Sequence, residues 1–281
     1  MGNELFKLTC KTMQLSVTPE ELRQRFNPDG SLLRRQQMRM LKILLEVDRI
    51  CKKHKIPYWL GSGTLLGAMR HRGFIPWDDD LDIEILWEDY QRLLKVLPME
   101  LPPNMALQCT QTDRNYFYFY AKVRDRRSHL EEVNRYDRFW KEQGVYIDVF
   151  PVHRHPIWLH LLSEKLQGHV YKIIRQMGED DKEMWKVRLI TRMNEKVLYP
   201  MMRAFSRLLK AKGTLGFGIP FHSPRPIEAI LPLTEAEFEG HTFPVPNDSH
   251  TLLTLLYGDY MQLPDVNKLQ LHVGELEIYD E

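Results

Sequence analysis

One stretch constrains the fold of this chain more than any other: YWLGSGTLLGAMRHRGFIPWDDDLDIEI, from Tyr58 to Ile85. Tyr58 to Leu60 reads as a short buried strand and Gly61-Ser62-Gly63 as a tight turn. Thr64 to Gly73 has the pattern of a short helix with a glycine past its end, and Pro76-Trp77 marks a second turn. Asp80 to Leu86 then alternates polar and apolar residues, the period of a half-buried strand. In that register Asp80, Asp82 and Glu84 share one face, while Leu81, Ile83 and Ile85 share the other.

Two carboxylates at this spacing on a strand lie roughly 6–7 Å apart at their Cα atoms. Beside an apolar core they repel, and they are costly unless a cation neutralises them. Hard carboxylate oxygens suit Mg2+ or Mn2+, which keep part of their shell for water and substrate phosphate. Asp148 stands alone in a second apolar stretch, GVYIDVFPV, and as a third carboxylate could complete a site for phosphoryl transfer. The competing account is purely structural: Asp78 and Asp79 cap a turn, and Asp80 and Asp82 face water on an edge strand. The Gly61-Ser62 turn favours the first account, because a strand, a tight turn and a helix start present free backbone N–H groups to an anion.

The surrounding chain supplies a scaffold. Thr18-Pro19-Glu20-Glu21 is a helix start, and Leu32 to His54 carries an apolar stripe at helical spacing, ended by Pro57. Glu88 to Pro98 is an amphipathic helix closed by its proline. Tyr116 to Ser128 contains a strand followed by a basic turn, and Gly144 to Val152 is another strand. Pro156 to Lys212 is largely helical, Gly213 to Pro232 a loop, and the tail holds a short strand, an Asn247-Asp248 helix start and a helix through Leu256.

Composition excludes several classes. A hydrophobic content of 43% suffices to close a core, and a net charge of +1 gives no global attraction to nucleic acid. Cys10, Cys51 and Cys109 are odd in number and form no C-x-x-C pair, as expected for a reduced compartment without disulfides or a zinc knuckle. The first residues show no long apolar segment and lack the hydroxyl residue of a myristoylation signal. The expectation is a cytoplasmic protein, at most peripheral to the inner face of the plasma membrane.

Gly61-Ser62, then Asp80-x-Asp82, then a distant aspartate resembles the nucleotidyltransferase fold, and the full Tyr58–Ile85 string is similar to the LicD family. That family includes bacterial phosphocholine transferases and, more distantly, the fukutin-related proteins of animals. AKVRDRRS, GVYIDVFPV, FEGHTFPVP and LLYGDYMQLP follow in family order, so the resemblance runs from about Leu33 to Pro264. It implies an α/β (α+β) fold: a nucleotidyltransferase-like mixed-sheet core at 33–152, after a helical lead at 1–32 and before a helical and C-terminal region at 153–281 packed on the core. It implies that Asp80, Asp82 and Asp148 hold Mg2+ or Mn2+, that Gly61 and Ser62 contact donor phosphates, and that Asp148 also serves as base. The implied reaction moves phosphocholine or a related phospho-alcohol from a CDP-linked donor such as CDP-choline to a hydroxyl of a cell-surface glycan or glycolipid. The cysteine zinc insert of the fukutin-related branch is absent. Rival readings are nucleotidyl transfer to a small alcohol or sugar, and a non-catalytic nucleotide- or glycan-binding pseudoenzyme.

Further candidates stay open at this level. Arg70, with His71 and Arg72, either offsets a helix dipole or clamps donor phosphates. Lys122 and Arg124, on one strand face, either neutralise a diphosphate or pair with carboxylates across the sheet. The aromatic run Tyr116–Tyr120 is read as core in a strand, with an ammonium cage as the alternative. Trp77 is read as core, His153 and His155 as surface histidines, and Asp259 as a turn residue. The basic helices from Lys186 to Lys212 are read as a solvated face, or else as a surface lying on an anionic membrane.

Overall fold

The computed structural model describes residues 18–265, apart from 210, 212 and 222, together with 273–279. The expectations for Cys10, the Met-Gly start, Lys210 and Lys212 fall outside the described residues. In chain order the elements are α1 (Pro19–Phe26), α2 (Leu32–His54), β1 (Trp59–Leu60), α3 (Ser62–His71), β2 (Asp82–Leu86), α4 (Trp87–Glu100), β3 (Met105–Gln108), β4 (Ala121–Asp125), β5 (Ser128–Glu132) and β6 (Tyr146–Arg154). There follow α5 (Ile157–Gln176), α6 (Met184–Met193), α7 (Tyr199–Ser206), β7 (Gly213–Leu215), α8 (Ile227–Ile230), β8 (Thr234–Phe238), β9 (His241–Val245), α9 (Ser249–Tyr257) and β10 (Val273–Ile278). A 3-10 turn covers Tyr136–Phe139, and a π turn at Asn194–Leu198 joins α6 to α7.

A six-stranded mixed sheet runs β1-β2-β6-β4-β3, with β7 paired to the far end of β6. β2 and β6 are parallel; the other pairs are antiparallel. This is the α/β class expected from the sequence. Two small antiparallel pairs, β8–β9 and β10–β5, flank the sheet. Side-chain alternation on β2 and β6 splits the molecule. Ile83, Ile85, Ile147 and Val149 pack with Leu44, Val47 and Ile50 of α2 in one core. Trp59, Phe150 and Val152 join the aromatic run Tyr116–Tyr118 and α5 residues Val170 and Ile174 in a second. Asp82 and Asp148 point away from the first core, as the period of 2 requires.

Several boundaries differ from expectation. The helix start at Thr18 and the full span of α2 appear as read, and the structure adds a capping box in which Glu21 reaches back to the Thr18 N–H. However, α2 is closed by Lys55 in the left-handed region rather than by Pro57. α3 ends with Arg72, not Gly73, in that conformation. α4 continues past Pro98 to Glu100, whose carboxylate is anchored 2.6 Å from Lys53 and 3.0 Å from His54. The aromatic run lies before β4, not in it. Tyr116, Phe117, Tyr118 and Tyr120 are nevertheless buried, packing in a cluster with α5, and Phe119 is half-buried. The expected loop 213–232 contains β7 and α8.

Candidate active site

The Gly-Ser turn is built as a close approach. Gly61 N donates to the Asp82 carbonyl at 3.0 Å, and Asp82 N donates to Thr64 Oγ1 at 2.8 Å. A Cβ on Gly61 would lie 2.6 Å from Glu84 Cγ. Glu84 cannot retreat: Trp59 Nε1 donates to one of its oxygens at 3.1 Å and Arg225 Nε to the other at 3.0 Å. Arg225 also reaches Ser62 Oγ, at 3.4 Å. Glu84, on the Asp82 face of β2, is therefore an ion-paired brace and not a ligand. Ser62 takes a positive φ of 44°, and Gly63 faces Asp78, whose Oδ2 would lie 3.0 Å from a Cβ there. The first turn of α3, with its unsatisfied N–H groups, thus opens beside the acidic turn.

Two glutamines of α2 hold that acidic turn from behind. Gln36 Nε2 donates to the Asp79 carbonyl at 2.7 Å and Gln37 Nε2 to the Asp78 carbonyl at 2.9 Å. Both glutamines are buried. The carboxylates of Asp78, Asp79 and Asp80 come within 4.8 Å of one another, one ligand atom from each. β2 begins only at Asp82, so Asp80 belongs to the turn and not to the strand expected over Asp80–Leu86. Among the described residues, the tightest acidic group is this turn triplet and not Asp80, Asp82 and Asp148.

Asp80, Asp82 and Asp148 do share one cavity. It measures about 1030 Å³, and Lys122, Glu132 and five tyrosines also line it. Asp82 and Asp148 are direct partners across the parallel β2–β6 pair. Burial, reinforced by the charges of Asp80 and Asp148, pushes the Asp82 carboxyl well above the usual range. Burial pushes Asp148 up to about 6, although Lys122 opposes the shift. Lys122 stands opposite Asp148 on β4, with Nζ 2.9 Å from Asp148 Oδ1 and 3.4 Å from Glu132 Oε1. It also lies 3.3 Å above the Tyr146 ring. These contacts leave Asp148 Oδ1 and Glu132 Oε1 without a well-formed hydrogen bond among the described residues. The cavity walls are stacked pairs: Tyr118 on Tyr120 at 4.9 Å between centroids, and Tyr136 on Tyr171 at 5.7 Å.

The remaining sequence candidates divide. Lys122 is the cross-strand partner of a carboxylate that the alternation allowed. Arg124, on the same face one pair further along β4, is fully buried. It is occupied by Gln108 Oε1 at 2.7 Å and the Gly144 carbonyl at 2.8 Å, so it is not available to a diphosphate. Arg70 does not line the cavity, because its Nη1 donates to the Tyr260 carbonyl at 2.6 Å. Burial and Arg70 hold His71 down to about 4. Trp77 packs edge-on against Phe26 and joins the core, as read. His153 and His155 are not surface residues. His155 bridges His153 at 3.0 Å and His160 at 3.1 Å, and His160 Nε2 meets the Ile219 carbonyl at 2.9 Å. Gln36, Gln37 and Arg225 carried no local signal, since each acts through a partner far along the chain, and Glu132 meets Lys122 only through the fold of β5 against the sheet.

Comparison with known proteins identifies the family. The family model described as LicD/FKTN/FKRP, nucleotidyltransferase domain, matches residues 55–203. Lipopolysaccharide cholinephosphotransferase LicD of Haemophilus influenzae is 29% identical over 251 residues, covering 83% of this chain and 92% of that protein. Ribitol 5-phosphate transferase FKRP of Homo sapiens is 56% identical over 34 residues, 12% of this chain and 7% of that protein. An uncharacterized protein of Rickettsia prowazekii is 44% identical over 64 residues, 23% of this chain and 24% of that protein. With the family model matching more than half of its length, the chain belongs to the LicD family and is a LicD-type transferase.

Proposed function

We propose that this protein transfers phosphocholine, or a related phospho-alcohol, from a CDP-linked donor to a hydroxyl of a cell-surface glycan of the lipopolysaccharide, teichoic acid or capsule type. The observation that carries the reading is the single cavity that gathers Asp80, Asp82 and Asp148 beneath stacked tyrosines. Its donor set fits a hard divalent cation. All three are carboxylates, Asp82 and Asp148 resist ionisation where they stand, and Asp148 Oδ1 lacks a well-formed partner. Asp80, Asp82 and Asp148 would hold Mg2+ or Mn2+, with Asp78 and Asp79 beside them, and the cation would neutralise the donor diphosphate. Of the Gly61-Ser62 pair, Gly61 spends its N–H on the Asp82 carbonyl; Ser62 and Gly63, at the start of α3 beside Asp78 and outside the cavity lining, would offer backbone N–H groups to those phosphates. Lys122 favours the ionised form of Asp148, which can then accept the proton of the attacking hydroxyl. The tyrosine walls suit a quaternary ammonium or a nucleobase, both of which bind aromatic faces.

The test has two parts. CDP-choline should raise the melting temperature only when Mg2+ or Mn2+ is present. Mass spectrometry of an acceptor glycan should then show the gain of phosphocholine, and Asp82→Asn should abolish it. A gain of cytidine monophosphate would convert the reading to nucleotidyl transfer. Absence of metal-dependent donor binding would leave a non-catalytic binder.

A further inference from the structure

The helices after β6 leave an apolar strip uncovered. Trp185, Leu189, Met193, Val197, Met201 and Phe205 recur every four residues along the continuous helical rod from Met184 to Ser206. Each is between 47% and 64% exposed. Side chains four apart on a helix are neighbours, so the six form one strip. On a pure α-helix a four-residue repeat drifts around the axis, and the wider π turn at Asn194–Leu198 reduces that drift.

The strip reaches the active site. Trp158 of α5 meets Phe205 edge-on with ring centroids 6.3 Å apart. One turn further along α5, Leu161 lines the rim of the catalytic cavity with Phe221, and both are exposed. Largest apolar patches on monomers ordinarily span roughly 300–600 Å², and larger ones mark interaction surfaces.

Charge identifies the partner. From Met184 to Leu209 the chain carries Lys186, Arg188, Arg192, Lys196, Arg203 and Arg207 against Glu195 as the one acid. Arg192, Lys196 and Arg207 are exposed beside the strip. A second copy seated here would bring two cationic rims together, whereas an anionic bilayer supplies the opposite charge and an apolar interior. Exposed tryptophans at the strip suit the membrane–water boundary. No helix among the described residues is long and apolar enough to cross a membrane, so the geometry is that of helices lying in the interface.

We propose that the α5–α6–α7 face docks on an anionic lipid bilayer, bringing the mouth of the catalytic cavity to the membrane surface, where a lipid-anchored acceptor can enter. The docking stands independently of which group the site transfers. The full chain should co-float with mixed phosphatidylcholine–phosphatidylglycerol vesicles, stay in solution with pure phosphatidylcholine vesicles, and be released by high salt. Leu189→Glu with Met201→Glu should lower vesicle binding at least about tenfold. The thermal melt and its shift with CDP-choline should stay as in the parent. Should that pair fail to fold, Arg192→Gln with Arg207→Gln, which leaves the strip intact, must weaken binding to the anionic vesicles. The proposal is overturned if the parent ignores both vesicles, or if folded variants float as the parent does. It is equally overturned if sedimentation velocity shows a dimer that vesicles leave intact and the glutamate pair dissolves, which would assign the strip to a second copy.

Discussion

Asp82 and Asp148 face each other in register across the parallel β2–β6 pair, two carboxylates held together by backbone hydrogen bonding and not by any cation of the chain alone. Lys122 compensates one of them directly and is itself shared with Glu132. Removing one charge from the facing pair should therefore separate activity from stability. Asp82→Asn is expected to cut transfer by at least about a hundredfold. In metal-free buffer its melting temperature should hold or rise, because a like-charge repulsion is lost. Parallel turnover and calorimetry check both halves.

Lys122 should behave in the opposite way. Lys122→Met leaves Asp148 and Glu132 buried without their shared cation, a change that typically costs about 3–5 kcal/mol. Denaturant unfolding of the variant should show that loss. A variant as stable as the parent would mean that Lys122 serves ligand binding alone.

The Gly61 turn offers a steric test. Gly61→Ala sets a methyl 2.6 Å from Glu84 Cγ, and Glu84 is pinned at both oxygens by Trp59 and Arg225. The variant should lose about 1–3 kcal/mol of stability together with donor binding. Gly63→Ala meets only the Asp78 carboxylate, at 3.0 Å. It should disturb metal-dependent donor binding far more than it lowers the melting temperature.

The histidine chain predicts acid sensitivity. Ile219 can only accept, so His160 Nε2 carries a proton and the donor order runs back to His153, whose Nε2 has no hydrogen-bond partner among the described residues. Burial, with Arg203 next, holds His153 down to about 3; burial, with His153 next, holds His155 down to about 2. A depressed histidine pKa means that the unfolded chain binds protons which the folded chain refuses. The stability is whole above about pH 6.5 and falls as pH drops below it, by up to about 1.4 kcal/mol per pH unit for each histidine. Melting curves from pH 7 to pH 4 should show the decline, and the ring resonances of both residues should not titrate over that range.

Local signals in the sequence located the elements well and the side-chain partners unevenly. The α2 stripe and the Thr18 helix start are written in consecutive residues and appear as read. Strand alternation placed Asp82 and Asp148 on the face away from the first core, and gave Lys122 a carboxylate across the sheet. Alternation could not show that β4 turns Arg124 under Trp140 and Tyr146, because that depends on the path of the 3-10 turn and of residues 140–146. Nor could it show that β2 starts late, leaving Asp80 in a turn whose shape is set by Gln36 and Gln37. His153 and His155 look polar in sequence, and they become core only because α5 and Phe217 close over them.

β10 pairs with β5 so that Val273 stands opposite Glu132, the residue that shares Lys122 with Asp148. The Glu132 wall of the cavity is therefore backed by a segment remote from it in sequence. Pulling, trimming or fusing a partner at β10 would act as a lever on the Glu132–Lys122–Asp148 charge balance. This strand is the place to install a switch that tunes the site without touching a single residue that lines it.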